Sequence, residues 1–549
     1  MMTRFIHADD ATSAVARQAS VMQTRVTRSF GAVLGVLALV VGACSTGSGG
    51  TASTDAQANE STSSSAPESS ATSSPTAESS TSAVPATASP TTEQPFNAFI
   101  DEVLPIIQDN CASCHTGDGS GATHMPMNTV GQIIAGSTFI ATAVSDRYMP
   151  PWPASDAGLP FHSNRRLSDE QVDSIVGWAQ ANVESGLPDD TPVVPTRTIS
   201  ASIEADVTMR GEPYRGSLER PDDYRCQIYD PALDSTSYLQ GLEFIGDQKP
   251  VVHHSLVFAA TADARDAANA ADAAEPGPGF NCTNFVNFDT GTTTLVNSWA
   301  PGQDPLSFPA DTGFQMGAGD FFVVQIHYHY GSSTVDLPAD QSTLMADFAD
   351  EATIAAAGGS LDPLTLTVYT PPAEIPCTAG VEGPLCDRGA AMLADIETLF
   401  GADASQLGIT EQQAIAYFDD NLRDCGMDPA EVATMTDGTA RAWCSYPAEP
   451  GRIVSLWGHM HSLGASFRLT LNPGEPDERI LLDIPKWDYA WQLLYFPTED
   501  VTVTADDTLL IECSWDRSLD AHGAEPRYIL WAEGTFDEMC YSQVVVRRS

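Results

Sequence analysis

Asp320-Phe-Phe-Val-Val-Gln-Ile-His-Tyr-His-Tyr330 decides the fold class of most of this chain. β-Branched and aromatic residues crowd the run, and Gly and Asp bound it, as a strand requires. Arg452-Ile-Val-Ser-Leu-Trp457 has the same texture, and from about residue 198 such short runs alternate with Gly, Pro, Asp and Asn. Strands joined by turns in this way predict β-sandwiches or barrels, here one domain over 198–350 and another over 351–549. Helical periodicity interrupts the second. Ala390 to Phe400 and Thr410 to Leu422 read as helices bracketed by Cys377, Cys386, Cys425 and Cys444, a disulfide-pinned insertion of about 377–446.

Upstream the pattern is helical. Phe96, Phe99, Ile100, Val103, Leu104 and Ile107 share one face of an amphipathic helix that runs into Cys111-Ala-Ser-Cys114-His115. Ser168 and Gln171 form a capping box before Val172, Ile175, Val176 and Ala179, and Gly186 with Pro188 ends that helix. A small all-α domain therefore spans 95–190, and the Pro-rich stretch Pro188 to Pro195 reads as a linker. Cys-x-x-Cys-His attaches c-type haem through two thioethers, with the adjacent His as axial ligand. A thioredoxin-like redox pair needs a βαβ setting, which this segment lacks. The domain is thus expected to be a cytochrome c, with Cys111, Cys114 and His115 on the haem. Met149, in Met149-Pro-Pro-Trp152, is the expected sixth ligand; Met125, Met127, His124 and His162 compete with it.

The N-terminus carries an export signature. From Met22, the candidate start, Arg25 and Arg28 precede an apolar run from Phe30 to Val41 and then Gly42-Ala43-Cys44. Residues 1–44 are expected to be a lipoprotein signal peptide with Cys44 lipidated, placing the protein on the outer face of the bacterial cell membrane. Secretion or a periplasmic location is the alternative. Residues 45–94, almost all Ser, Thr, Ala, Pro, Gly and Glu, cannot bury enough apolar surface to order themselves and read as a stalk. The 25 basic against 73 acidic residues give a net charge of -48, which excludes nucleic acid as a partner. Eight cysteines remain for disulfides in an exported chain: Cys226, Cys282, Cys377, Cys386, Cys425, Cys444, Cys513 and Cys540.

Six of the eleven histidines fall in three tight clusters: His253-His254, His327-x-His329 and His459-x-His461. On a strand, residues i and i+2 share a face, so His459 and His461 can hold one metal. His253 and His254 would point to opposite faces, and can share a metal only where the backbone is irregular. The β half resembles the copper type II, ascorbate-dependent monooxygenases, the family of dopamine β-hydroxylase and the peptidylglycine α-hydroxylating enzymes. Val252-His253-His254-Ser-Leu-Val-Phe258, Val324-Gln-Ile-His327-Tyr328, Gly458-His459-Met460-His461 and Asp537-Glu-Met539-Cys540 resemble the family's four ligand segments, in order.

The resemblance implies two jelly-roll-like domains with two copper ions fixed across a cleft. His253, His254 and His327 would hold the electron-storing copper. His459, His461 and Met539 would hold the oxygen-binding one, and Cys513 would pair with Cys540. A thioether independently selects soft Cu(I), so the donor sets agree with copper rather than zinc. The implied activity is hydroxylation of a C–H bond of a small organic substrate with O2, with ascorbate or another electron donor such as a redox protein. The tethered haem is a candidate relay for those electrons. The peptide-amidating relatives carry Arg, Asn and Tyr where this chain has Trp457, Tyr541 and Gln543, so a peptide carboxylate is disfavoured. His329 is extra: an alternative ligand, a residue beside the site or a surface histidine, the last two being preferred. The alternative reading is a non-catalytic envelope lipoprotein that transfers electrons or binds copper; Met539 argues for the enzyme.

Overall fold

The computed structural model describes residues 96–548, apart from 118, 120, 123, 182, 197–201, 217–221, 283–290, 302, 331–337, 401–407, 520–525 and 535–536. The expected signal peptide, Cys44 and the stalk lie outside the described residues. Among those described, no helix is long and apolar enough to cross a membrane.

Three helical segments build the first core. A π-helical turn Phe99–Val103 leads into the helix Leu104–Asn110, and the helices Val130–Ser145 and Asp169–Gln180 pack on them. Ser168 and Gln171 form the expected capping box. Phe99 meets Trp178 at a ring-centroid distance of 5.2 Å, joining the first segment to the last. Phe96 departs from the expected face and is 69% exposed. The helix Val130–Ser145 is not evident in the sequence: its β-branched residues and glycines lower helix propensity, and a Thr129–Gln132 capping box starts it. The expected linker is not a free tether. Val193 is buried in the helical core, and Thr191 and Val193 hydrogen-bond to Val130 and Asn128.

A nine-stranded sheet runs through both β regions. In order it contains Val207–Arg210, Thr343–Phe348, Ser237–Ile245, Thr312–Met316, Asp362–Tyr369, Tyr541–Arg547, Gly451–His459 and Thr502–Val503, with Leu306–Ser307 on the side of Ser237–Ile245. Its N-terminal half shares a core with the five-stranded sheet Phe280–Asn281, Asp222–Tyr229, Phe321–His329, Val252–Ala260, Thr293–Trp299. Its C-terminal half shares another with Thr439–Pro447, Thr508–Asp516, Gly464–Leu471 and Arg479–Ile484. These are two sandwiches, but parallel pairing of Asp362 and Pro363 with Thr312 and Gly313 makes them share a continuous sheet.

The helical insertion forms its own small core, Met392, Ala414 and Phe418 packing on Tyr528 and Leu530. Disulfides Cys377–Cys386 and Cys425–Cys444 flank it, and Cys226–Cys282 and Cys513–Cys540 complete the set. It is shorter than expected, because Thr439–Pro447 is a strand of the C-terminal sheet. A strap, residues 150–167, leaves the helical core for the β half. Trp152 and Phe161 pack on Tyr495, and Ser155, Leu159 and His162 donate backbone hydrogen bonds to Asp483, Leu481 and Phe496. Buried Arg165 pairs with Asp304 of the N-terminal sandwich.

Candidate metal centre

The strand Val252–Ala260 pairs with Phe321–His329, and the register slips between Val252 and His254. Val252 faces Tyr328 while His254 faces His327, so His253 is the extra residue of a bulge. This is the irregularity that two adjacent histidines need to share a metal. The Nδ1 atoms converge: His253 to His254 is 3.0 Å, and His327 to His254 is 3.3 Å. His327 Nε2 is instead held by Asp222 at 2.8 Å, which turns Nδ1 toward the other two rings. Burial, then the neighbouring imidazoles, pushes His253 and His254 well below the ordinary histidine value. For His327 burial also lowers it, partly offset by Asp222. Neutral imidazoles can bind a metal without first losing a proton.

The second set is built by pairing Gly451–His459 with Tyr541–Arg547. His459 faces Tyr541, so Met539, two residues before Tyr541, arrives beside the His-x-His segment. His459, His461 and Met539 line one cavity. Gly458 is required there, because a Cβ would lie 2.7 Å from the Phe467 ring. His459 Nδ1 bonds Gln492 Oε1, and His461 Nδ1 bonds the Asp537 carbonyl at 2.9 Å, so both Nε2 atoms are left for a metal. Gln492 Nε2 donates to the Tyr489 carbonyl, which fixes the amide orientation. Burial pushes His459 and His461 down to about 3. Fully buried Glu538 accepts from His461 N at 2.9 Å, Leu463 N at 2.6 Å and Trp515 Nε1 at 3.0 Å, locking the Met segment to the His-x-His turn.

The two sets do not lie across an open cleft, as the resemblance implies. His254 and His459 ring centroids are 6.0 Å apart, and the shared cavity, walled also by Trp457 and Tyr541, is about 30 Å³. Hydrogen bonds join the two sandwiches beside it: Tyr224 Oη to the Glu533 carbonyl, and Gln543 Nε2 to Ser298 Oγ at 2.8 Å. His329 sits beside the first set, bonded to Asp222 at 2.9 Å. Asp222, Tyr224, Gln492 and Glu538 were not singled out in the sequence, since strand register brings the first two to the histidines and loop packing the last two.

In the helical module Cys111 and Cys114 are free, whereas the other described cysteines are paired. His115 Nδ1 lies 2.7 Å from the Met125 carbonyl. Burial lowers the His115 value, partly offset by the carbonyls of Met125 and Gly121. Two thiols and an imidazole on one turn are the donor set that haem c takes. Met149 is half-buried beyond the helix Val130–Ser145, its amide bonded to the Ala143 carbonyl.

Residues 217–334 match the family model described as copper type II ascorbate-dependent monooxygenase, N-terminal domain. That span contains His253, His254 and His327, and the match supports a copper-dependent monooxygenase, an oxidoreductase. No curated protein matches the chain. Among solved structures it is similar to an allantoicase at 10% identity, over 56% of this chain and 81% of that one, with a TM-score of 0.14. The allantoicase of Saccharomyces cerevisiae gives 8% identity over 61% and 80%, TM-score 0.14. The coconut allergen cocosin gives 9% over 63% and 84%, TM-score 0.14. Likenesses this weak carry no argument.

Proposed function

We propose that this protein hydroxylates a C–H bond of a small organic substrate with O2, using two inequivalent copper ions and electrons relayed by its own haem c. The observation that carries the reading is the donor chemistry. His254 of one imidazole set lines the same cavity as His459, His461 and Met539 of the other, and the thioether belongs to the second set. His253, His254 and His327 would hold one copper through Nδ1, and His459, His461 and Met539 the other. When bound, copper supplies one-electron redox chemistry and the means to activate oxygen for insertion into a C–H bond.

The chain's own groups prepare that chemistry. Asp222 and Gln492 orient ligand rings, Glu538 fixes the Met segment, and interdomain hydrogen bonds hold the two sandwiches together beside the site. At about 30 Å³ the cavity holds only a water-sized molecule as it stands, so a substrate must widen it; its wall of Trp457 and Tyr541, with no Lys or Arg among the lining residues, favours an apolar or aromatic substrate over a peptide carboxylate. Cys111, Cys114 and His115 would hold haem c, which supplies single electrons; Met149 is proposed as sixth ligand on chain position. Four disulfides agree with an oxidising compartment, in line with the proposed lipid anchor at Cys44 on the outer face of the cell membrane.

Elemental analysis and a pyridine haemochrome spectrum should give two coppers and one covalent haem per chain. The copper-loaded protein should then consume oxygen in response to members of a panel of aromatic and aliphatic compounds. Zinc in the histidine sets, or no substrate-dependent oxygen uptake across the panel, would overturn the reading.

A further inference from the structure

One short segment, residues 488–492, touches both the helical module and the imidazole cluster. On its outer side Trp491 meets Tyr148, ring centroids 5.7 Å apart. Tyr148 immediately precedes Met149, the proposed haem ligand. On the inner side Tyr489 stacks on His253, with centroids 4.7 Å apart and planes at 25°. The same ring stands 6.2 Å from His461, and Gln492 holds His459. The segment is fixed by its own bonds. Trp491 N donates to the Asp488 carbonyl at 3.0 Å, and Ala490 N to the Asp488 carboxylate at 2.9 Å. The strap's other ring contacts, Trp152 and Phe161 on Tyr495, end in the C-terminal core rather than on an imidazole.

We propose that residues 488–492 form the electron inlet of the copper centre, with Trp491 coupled to the helical module and Tyr489 to His253. This rests on the haem-fed monooxygenase reading above. In each transfer one electron leaves ferrous haem iron, which becomes ferric, and one cupric ion at the three-histidine set becomes cuprous. No bond forms or breaks. Two such transfers, with the haem re-reduced between them by an external one-electron donor and the first electron passed on to the methionine-bound copper, supply the two electrons that, with O2, two protons and R–H, give R–OH and water. Tyr489 and Trp491 act as positioning and coupling residues; neither needs to change its own oxidation state.

Flash photoreduction of the haem in the fully oxidised, haem- and copper-loaded chain, without oxygen, tests the route. Wild-type ferrous absorption should decay in a fast phase independent of protein concentration, with matching loss of the cupric EPR signal. Trp491→Leu and Tyr489→Leu should lose that phase while keeping haem and copper content and direct bleaching of the cupric signal by ascorbate. Trp491→Phe, which keeps a ring against Tyr148, should restore it. An unchanged fast phase in both leucine variants would overturn the inlet and leave the haem-fed reading standing. A loaded wild-type chain with no such phase would overturn the haem-fed reading itself, and the inlet with it.

Discussion

Tyr224 lies flat on His327, ring centroids 4.3 Å apart and planes within 8°. The two are register partners on Asp222–Tyr229 and Phe321–His329. The same pairing brings the Asp222 carboxylate to both His327 and His329. The proposed copper ligand His327 is therefore oriented by backbone pairing, with a stacked ring on its face and a carboxylate at its far nitrogen.

Removing that carboxylate should free His327 to rotate. Asp222→Ala is expected to weaken one of the two coppers by roughly 10- to 100-fold, as loss of a partner bonded to a metal-ligating histidine does. Titration against a copper chelator would show it. The second copper should keep its affinity, and equal weakening of both would argue against an assignment to the three-histidine set.

Met539→Ala removes the one thioether facing His459 and His461, and with it the preference for Cu(I). Hydroxylation should be abolished while haem and the three-histidine copper remain bound. Undiminished turnover would make Met539 a packing residue.

Glu538 is a stability residue as well as a brace. Glu538→Ala orphans two buried N–H groups and the Trp515 indole N–H. At about 1–3 kcal/mol for each unsatisfied group, a loss of roughly 3 kcal/mol or more is expected in denaturant unfolding. A loss under about 1 kcal/mol would show that water replaces the carboxylate.

The insertion should make stability depend on pH. Burial pushes the Asp395 carboxyl from 3.8 up to about 7, with Arg527 opposing the shift. The folded chain keeps a proton there that the unfolded chain releases, so stability is highest below the unfolded value. It falls as pH rises toward the folded value, by up to about 4 kcal/mol. Asp395→Asn should flatten that slope and be the more stable chain near about pH 8. Identical pH profiles would place the dependence elsewhere.

Local order was largely legible. Strand texture around Phe322 and Val454, the Ser168 capping box and the insertion helices all depend on residues close in sequence. The need for irregular backbone at His253 and His254 was legible too, as a condition that the bulge meets. Register was not. Asp222 and Tyr224 are ordinary residues in ordinary settings until pairing brings them to an imidazole, and Gln492 until its loop folds over His459. The 6.0 Å approach of His254 and His459 was equally hidden, since it depends on sheet continuity and cross-domain bonds. The helix Val130–Ser145 was missed because its β-branched residues speak for strand, and packing overrode them.

The strap changes what counts as a separable unit. A shortened chain beginning after Pro195 would lack Trp152 and Phe161, and Tyr495 would meet solvent with no covering ring. Strand Arg479–Ile484 would lose the hydrogen bonds that Ser155 and Leu159 now give to Asp483 and Leu481. Such a fragment would expose an apolar trough beside unpaired carbonyls, which is an invitation to self-association. Expression of the oxygenase half by itself should therefore yield aggregates, unless the strap peptide is supplied in trans to fill the trough.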